Sequence, residues 1–302
     1  KEKTGKCVFL FSKFSGSCEP TVESYLREHR IPYLQGTQEA VHALQAFENY
    51  ATKRRTPADL VEKSPISPEK LAQHKKRFSE NSSPLTEIES RELLASYGIR
   101  GPKEIVAPTA ERAVQAANDI GYPVVLKILS PDIQHKTECD GVKVNLKNAE
   151  EVSVAFSQIF ESAKNYNPKA HLEGVLVQEM ITSDAVEVIL GVVHDPDYGP
   201  VVVYGSGGIL VEILKDSVLS VPPISKREAQ RMISQTKGIK LLQGFRGSKK
   251  SDVNALTDAI VNISHLAQDF ADEIAALDIN PLMVLPEGKG VCAVDALIER
   301  KK

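Results

Sequence analysis

The chain has 302 residues, 42% apolar and 25% charged, with a net charge of −3 at pH 7. That length suits one large domain or two ordinary ones, and the charge balance excludes the strongly basic face of a nucleic-acid binder. The four cysteines, at 7, 18, 139 and 292, stand far apart with no C-x-x-C pair, which argues against a zinc site and fits reduced thiols. With no bilayer-length apolar run and no signal-peptide core, a soluble cytoplasmic chain with no membrane partner is expected.

Residues 7–11 (CVFLF) read as a short strand, Pro20 to Arg30 as a helix, 31–34 (IPYL) as a second strand, and Thr37 to Tyr50 as a helix with apolar residues at 40, 41, 44 and 47. This βαβα order suits the tail of a doubly wound sheet. Two strands and two helices bury too little to stand alone. Residues 1–50 are therefore expected to be the end of a larger domain, or to dock on another chain. Residues 51–84 are rich in Lys, Arg, Ser and Pro with isolated apolar residues, and a solvated linker is expected there. Its KRR and HKKR runs could touch phosphate, but such runs are usually just hydrated.

Order resumes at Leu85. Thr86-Glu87-Ile88-Glu89 is a capping box opening a helix that ends at Gly98. Thr109 caps a second helix, closed by Gly121. Strands follow around 124–128 and 141–146, then a helix from Asn148 to about Tyr166. Strand-like runs at 174–180, 185–193 and 200–204 come next, with DPDYG a turn between the last two. Ser225 to Thr236 is a helix with its own S-x-x-E box, and a longer helix runs from about Asp252 to Phe270. Short strands EIAALDI, LMVL and GVCAVDALI close the chain, and no repeat of solenoid period appears.

Lys127 lies inside the apolar strand VVLKI, where a lysine is costly unless it is paired or reaches solvent. An outward-facing surface residue would be the simpler reading if Lys127 stood alone. Glu179 ends another strand, Glu187 lies inside the next, and GSGG at 205–208 places glycines between strands. Glycine turns let backbone N–H groups approach a phosphate, though they also make plain turns. Glu212, Asp216, Asp278, Asn280 and Asp295 follow on or beside strands. Oxygen ligands of that kind suit Mg²⁺ shared with substrate phosphates, so the combination points to ATP and magnesium.

The ordered set P-V-V-L-K-I, S-P-D-I-x-H-K-T, V-Q-E-M, E-V-I-L-G-V, D-P-D-Y-G-P-V-V, G-S-G-G-I-L-V-E, L-L-Q-G-F-R-G and L-D-I-N-P-L closely resembles the ATP-grasp domain of the NDP-forming (ADP-forming) acyl-CoA synthetases, relatives of the succinyl-CoA synthetase β subunit. The resemblance runs from about 85 to 300, and residues 5–50 resemble the end of the family's second CoA-ligase subdomain. It implies an α/β chain of α+β lobes. A two-lobed ATP-grasp domain over 85–302 follows a linker at 51–84 and, at 1–50, the C-terminal remnant of a flavodoxin-like CoA-ligase subdomain. The lobes would be roughly 85–172, with a loop at 130–141, and 173–302. The family's CoA-binding and ligase domains, with the first catalytic histidine, would lie outside this chain.

By the same resemblance, Lys127 would hold the nucleotide phosphates, Glu179 and Met180 would form the hinge strand that meets adenine, and Glu187 would stand near the nucleotide. Gly207 and Gly208 would lie in a nucleotide-approaching turn. Arg246 would clamp phosphate, or serve a structural role. Asn280 and Asp295, with Glu212, would bind Mg²⁺. His135 matches the histidine that carries a phosphoryl group between ATP and the ligase half; neutral imidazole is a good nucleophile near pH 7. Lys127 and Lys136 would offset charge in a loose transition state. The implied activity is acid, CoA and ATP to acyl-CoA, ADP and phosphate, with CoA bound mainly by the other half, in a homo- or hetero-oligomer.

One departure stands out. The family usually reads HKTDVGGV where this chain reads HKTECDGV, so Asp140 replaces a glycine. Its carboxylate could point away, bind the metal or weaken nucleotide binding, and Cys139 beside it reads as a bystander thiol. Two other functions are compatible with the motifs: a nucleotide-binding regulatory module of an acetyltransferase-type family member, and a carboxylate–amine ligase, which would not need His135.

Overall fold

The computed structural model describes residues 9–13, 16, 18–55, 61–80, 85–133, 136, 138–181, 184–207, 216–245 and 247–301. Contacts divide the chain into two units, Lys1–Leu60 and Val61–Lys302. In the first, β1 (Leu10–Phe11) pairs in parallel with β2 (Tyr33–Leu34). Helix α1 (Pro20–Glu28) starts with proline at its first turn, where a missing N–H costs nothing, and α2 runs Thr37–Arg55. Leu26 and Ala40 are the buried apolar side chains among the unit's described residues, while Phe11, Tyr25, Phe47 and Tyr50 are exposed.

The expected linker at 51–84 needs correction. Helix α2 continues to Arg55, and α3 occupies Pro68–Glu80. Ser67 starts α3, its Oγ accepting from the Lys70 N–H at 3.3 Å. Leu71 and Phe78 pack on the larger core, and Ile66 is buried within it. Few apolar residues sufficed because the neighbouring lobe supplies the rest of the contact surface; the exposed charged face dominated the composition.

The smaller lobe is a four-stranded antiparallel sheet in the order β3 (Glu104–Ala107), β6 (Gly174–Glu179), β4 (Val124–Leu129), β5 (Val142–Leu146). Helices α5 (Ala110–Ile120) and α6 (Ala149–Tyr166) cover one face, and the side chains of Thr109 and Asn148 cap their starts. Val124, Leu126 and Ile128 point into that core with Val175 and Val177. The period of two then puts Lys127 on the other face.

The larger lobe orders its strands β11 (Val291–Ala293), β10 (Ile274–Val284), β7 (Val186–Asp195), β8 (Gly199–Ser206), β9 (Ser217–Ser220), with β12 (Ala296–Arg300) also paired to β10. Two expected strands, EIAALDI and LMVL, are one strand, β10, with a register irregularity between Ile279 and Leu282. Helices α7 (Lys226–Gln235), α8 (Ile239–Leu242) and α9 (Val253–Asp269) follow β9 in the chain, α8 standing between the two longer helices. Residues of α7 and α9 fill one core with Val188, Leu190, Val192, Leu277 and Ile279. The same core takes Leu93 and Leu94 of α4 (Glu87–Ser96) and Tyr97, which caps its end. So α4 precedes the small lobe in sequence but belongs to the large one.

Candidate functional site

Lys127 lies on the sheet face away from α5 and α6, yet only 5% of it is exposed. Its Nζ donates to the Val294 carbonyl, just before β12, at 3.1 Å, and lies 3.6 Å from the Glu87 carboxylate. The two lobes meet at this lysine. Burial pushes its pKa below the ordinary lysine range, while the negative charges of Asp295 and Glu87 work against that.

Glu87 joins the site from the first turn of α4, where by sequence alone it is legible only as part of a capping box. The box is real: Thr86 Oγ1 accepts from the Glu89 N–H at 3.2 Å and Glu89 Oε2 accepts from the Thr86 N–H at 2.8 Å. By fixing the first turn of α4, it sends Glu87 toward the small lobe with a side chain 8% exposed. One carboxylate oxygen faces Lys127 and Arg91, and the other is ion-paired with Lys136. Arg91 also pairs with Glu104, which accepts from Gln178 Nε2 at 3.0 Å. Burial alone would raise the Glu87 pKa; Lys127, Lys136 and Arg91 reverse that and hold it below the usual carboxylate range. A signal did exist in the sequence: an acid at the first helical position of a box whose partner strand carries an unpaired lysine.

His135 lies outside the described residues, as do 134 and 137. Ile133 is buried, and Asp132 accepts from the His171 N–H at 2.7 Å. The Lys136 carbonyl accepts from the Gly141 N–H at 2.8 Å and from Cys139 Sγ at 3.2 Å. A Cβ on Gly141 would come within 2.6 Å of Ile128 Cγ2 and 2.9 Å of the Lys136 carbonyl oxygen, so this glycine is required for packing. Asp140 takes the left-handed conformation, φ 52°, which aspartate tolerates better than most residues. Its carboxylate turns outward to Lys143 at 2.6 Å. Cys139 is a buried thiol, as expected of a bystander.

Asp278 and Asn280 project from the face of β10 opposite the helices, and both are exposed. Ile279 pairs with Ala296, which brings Asn280 alongside Asp295 at the next step. Although the residue as a whole is exposed, partial desolvation of its carboxyl and then the nearby Asp295 charge raise the Asp278 pKa. The donor set of Asn280 and Asp295 is hard oxygen, as Mg²⁺ requires, although no cluster of three or more His, Cys, Asp or Glu of metal-ligand spacing occurs among the described residues. Glu187 is exposed near the start of β7, paired with Met283. Glu212, Gly208 and Arg246 lie outside the described residues.

The glycine turn is partly strand. Gly205 and Ser206 belong to β8, and Gly207 donates its N–H to the Glu187 carbonyl at 3.0 Å. A Cβ on Gly207 would sit 2.5 Å from the Glu187 carbonyl carbon, so close approach to β7 is sufficient reason for glycine there. Beyond it, Asp216 accepts from Ser206 Oγ at 2.5 Å and from the Lys237 and Gly238 N–H groups at 2.9 and 3.1 Å. Glu179 exchanges with Lys103, its N–H donating to the Lys103 carbonyl at 2.8 Å, and Met180 donates to the Pro123 carbonyl at 3.3 Å. Both side chains are half-buried.

Residues 76–299 match the family model described as an ATP-grasp domain. The 4-hydroxybutyrate–CoA ligase (ADP-forming) of Nitrosopumilus maritimus is 39% identical over 279 residues, 92% of this chain but 40% of that protein. The acetate–CoA ligase (ADP-forming) I subunit beta of Pyrococcus furiosus is 46% identical over 213 residues, 70% of this chain and 90% of the subunit. Thus the chain spans less than half of one relative and most of the other. Among solved structures, the dinucleotide-forming acetyl-coenzyme A synthetase 1 of Ca. Korarchaeum cryptofilum, with coenzyme A, Ca-AMPCP and HgCl⁺, is similar with a TM-score of 0.70 and 40% identity, covering 76% of this chain and 99% of that one. A selenomethionine form of the same protein, with coenzyme A and Mg-AMPPCP and its phosphohistidine segment pointing towards the nucleotide binding site, gives 0.64 and 36%, covering 78% and 100%.

Proposed function

We propose, for a chain that belongs to the ATP-grasp family in its ADP-forming acyl-CoA ligase branch, that it is the nucleotide-binding, phosphoryl-transferring part of an acid–CoA ligase. The observation that carries this is the buried pair Lys127 and Lys136, sharing one carboxylate beside position 135. In the proposed step, a ring nitrogen of neutral His135 attacks the γ-phosphorus of ATP. The N–P bond forms as the bond to the ADP oxygen breaks, and the other ring nitrogen keeps its proton. Lys127 and Lys136 counter the charge on the transferring group, so that catalysis is positioning and electrostatics. Asn280, Asp295 and Glu212 would hold Mg²⁺, which when bound neutralises phosphate charge. Glu179, Met180, Glu187, Gly207, Gly208 and Arg246 would line the nucleotide.

The phosphoryl group then passes to a CoA-binding and ligase half, in a domain or partner subunit, where the carboxylic acid and CoA react. The assignment places the enzyme in the cytoplasm; among the described residues no helix is long and apolar enough to cross a membrane. The regulatory-module alternative draws no support from the relatives above, which are named as ligases and a synthetase.

The test is labelling of the purified chain by γ-labelled ATP with Mg²⁺, comparing wild type with His135→Ala. Acid-labile, base-stable label that is absent from the variant is expected. Label that persists in His135→Ala would overturn the histidine relay.

A further inference from the structure

Two lysines buried side by side repel one another and would part unless something held them. Here a single carboxylate does so. Lys127 belongs to β4 in the small lobe, Lys136 follows position 135 in the 130–141 stretch, and Glu87 opens α4, whose apolar face is fixed in the large-lobe core. All three side chains are at most 16% exposed. Among the described residues, the other charged groups facing Glu87 are Arg91, itself held by Glu104, and, across Lys127, Asp295.

We propose that Glu87 is a positioning residue for phosphoryl transfer: its two carboxylate oxygens hold the Lys127 and Lys136 ammonium groups at the spacing at which they take up phosphate oxygens. A carboxylate and a phosphate present similar pairs of anionic oxygens, so the lysines exchange one such pair for another without having to be assembled around the nucleotide. Because α4 is anchored in the large lobe, Glu87 also fixes the pair relative to the Asn280 and Asp295 side of the cleft. This inference rests on the phosphohistidine reading above and adds to it the residue that orders the lysines.

A purely structural Glu87 and a positioning Glu87 differ in what its removal does to binding and to transfer. Without the carboxylate, Lys127 and Lys136 lose a competing anion, and the nucleotide brings anionic oxygens of its own, so it binds at least as well. The transfer step loses its preset geometry, and misplacement of about 1 Å can cost up to about a hundredfold. The experiment is rapid-quench labelling from γ-labelled ATP, with equilibrium binding of a non-hydrolysable ATP analogue. It uses wild type, Glu87→Gln, Lys136→Met, the double variant and His135→Ala.

Glu87→Gln is expected to slow labelling at least about tenfold, with the dissociation constant for the analogue unchanged or lower. Lys136→Met should slow it similarly, and the double variant should be slowed by less than the product of the two single effects, since both remove the Glu87–Lys136 pair. Label lost in His135→Ala but formed at the wild-type rate in Glu87→Gln overturns the inference alone. So do losses that multiply in the double variant, or analogue binding that weakens in step with the rate. Should Glu87→Gln not fold, Lys136→Met decides: labelling at the wild-type rate overturns the inference. Label that survives His135→Ala removes the relay reading and this inference together.

Discussion

Replacing Asp216 by alanine removes the acceptor for three donors at once: Ser206 Oγ and the backbone N–H groups of Lys237 and Gly238. The residue is 9% exposed. Hydrogen bonds to a charged group contribute about 1.5–3 kcal/mol each, and each buried N–H left without a partner costs about 1–3 kcal/mol. The three share one carboxylate and are not additive, so a loss of about 3–4 kcal/mol is expected. For a unit of this size about 2–4 °C accompanies each kcal/mol, so the unfolding midpoint should fall by about 6–16 °C. Asparagine keeps one acceptor oxygen and should lose about half as much. The pH dependence supplies a second check. Burial pushes the Asp216 pKa up, but Ser206 and the two N–H groups outweigh it and the net shift is downward. A depressed carboxyl stabilises above its ordinary pKa of about 3.9, and that contribution is lost as pH falls through the lower folded value. The gap between wild type and Asp216→Asn should thus be constant at neutral pH and close only below about pH 4. Thermal scans at several pH values measure both effects. A midpoint for Asp216→Ala within about 2 °C of wild type would refute the account of a buried acceptor with dependent donors.

Gly207→Ala should destabilise the large lobe by about 1–3 kcal/mol, because its Cβ would meet the Glu187 backbone at 2.5 Å; a midpoint equal to wild type would show that β7 can move aside. Asp140→Gly should leave stability within about 1 kcal/mol and leave histidine labelling intact, since glycine relieves the left-handed backbone but gives up only a surface ion pair with Lys143. Denaturant titration and the labelling assay check it, and loss of label would mean that Asp140 has a part in the chemistry. Tyr97→Phe should cost about 1–2 kcal/mol by removing the hydroxyl that donates to Asp269 at 2.8 Å beneath α4. An unchanged unfolding midpoint would show that this buried bond adds nothing net.

Where local chemistry decides the structure, the amino-acid order was readable. Thr86, Thr109, Asn148 and Ser225 each cap the helix expected after them, because a cap needs only residues three positions apart. The DPDYG turn forms as read, with Asp195 Oδ1 accepting from the Asp197 and Tyr198 N–H groups. Helix α3 was hidden because its stability comes from Leu71 and Phe78 meeting a core built by distant strands, not from its own polar composition. Lys127 was singled out because an ammonium group in an apolar strand demands an explanation. Its partner was not, since Glu87 reaches it only once two lobes and the 130–141 stretch are assembled. Gly207 is legible as a glycine that could approach phosphate, while its contact with β7 follows from sheet register, which no local pattern displays.

The large-lobe core is assembled from two stretches of chain, one on either side of the small lobe. Leu93, Leu94 and Tyr97 are made early, yet their neighbours Leu277 and Ile298 come near the end of the sequence. The small lobe lies uninterrupted between them, from β3 to β6. During synthesis from the N-terminus its contacts can close as soon as residue 179 has emerged, while the apolar side of α4 waits uncovered for β10 and β12. The expected order of folding is therefore inner segment first, outer segments last, and pulsed hydrogen exchange that protected α4 before β3 to β6 would refute it.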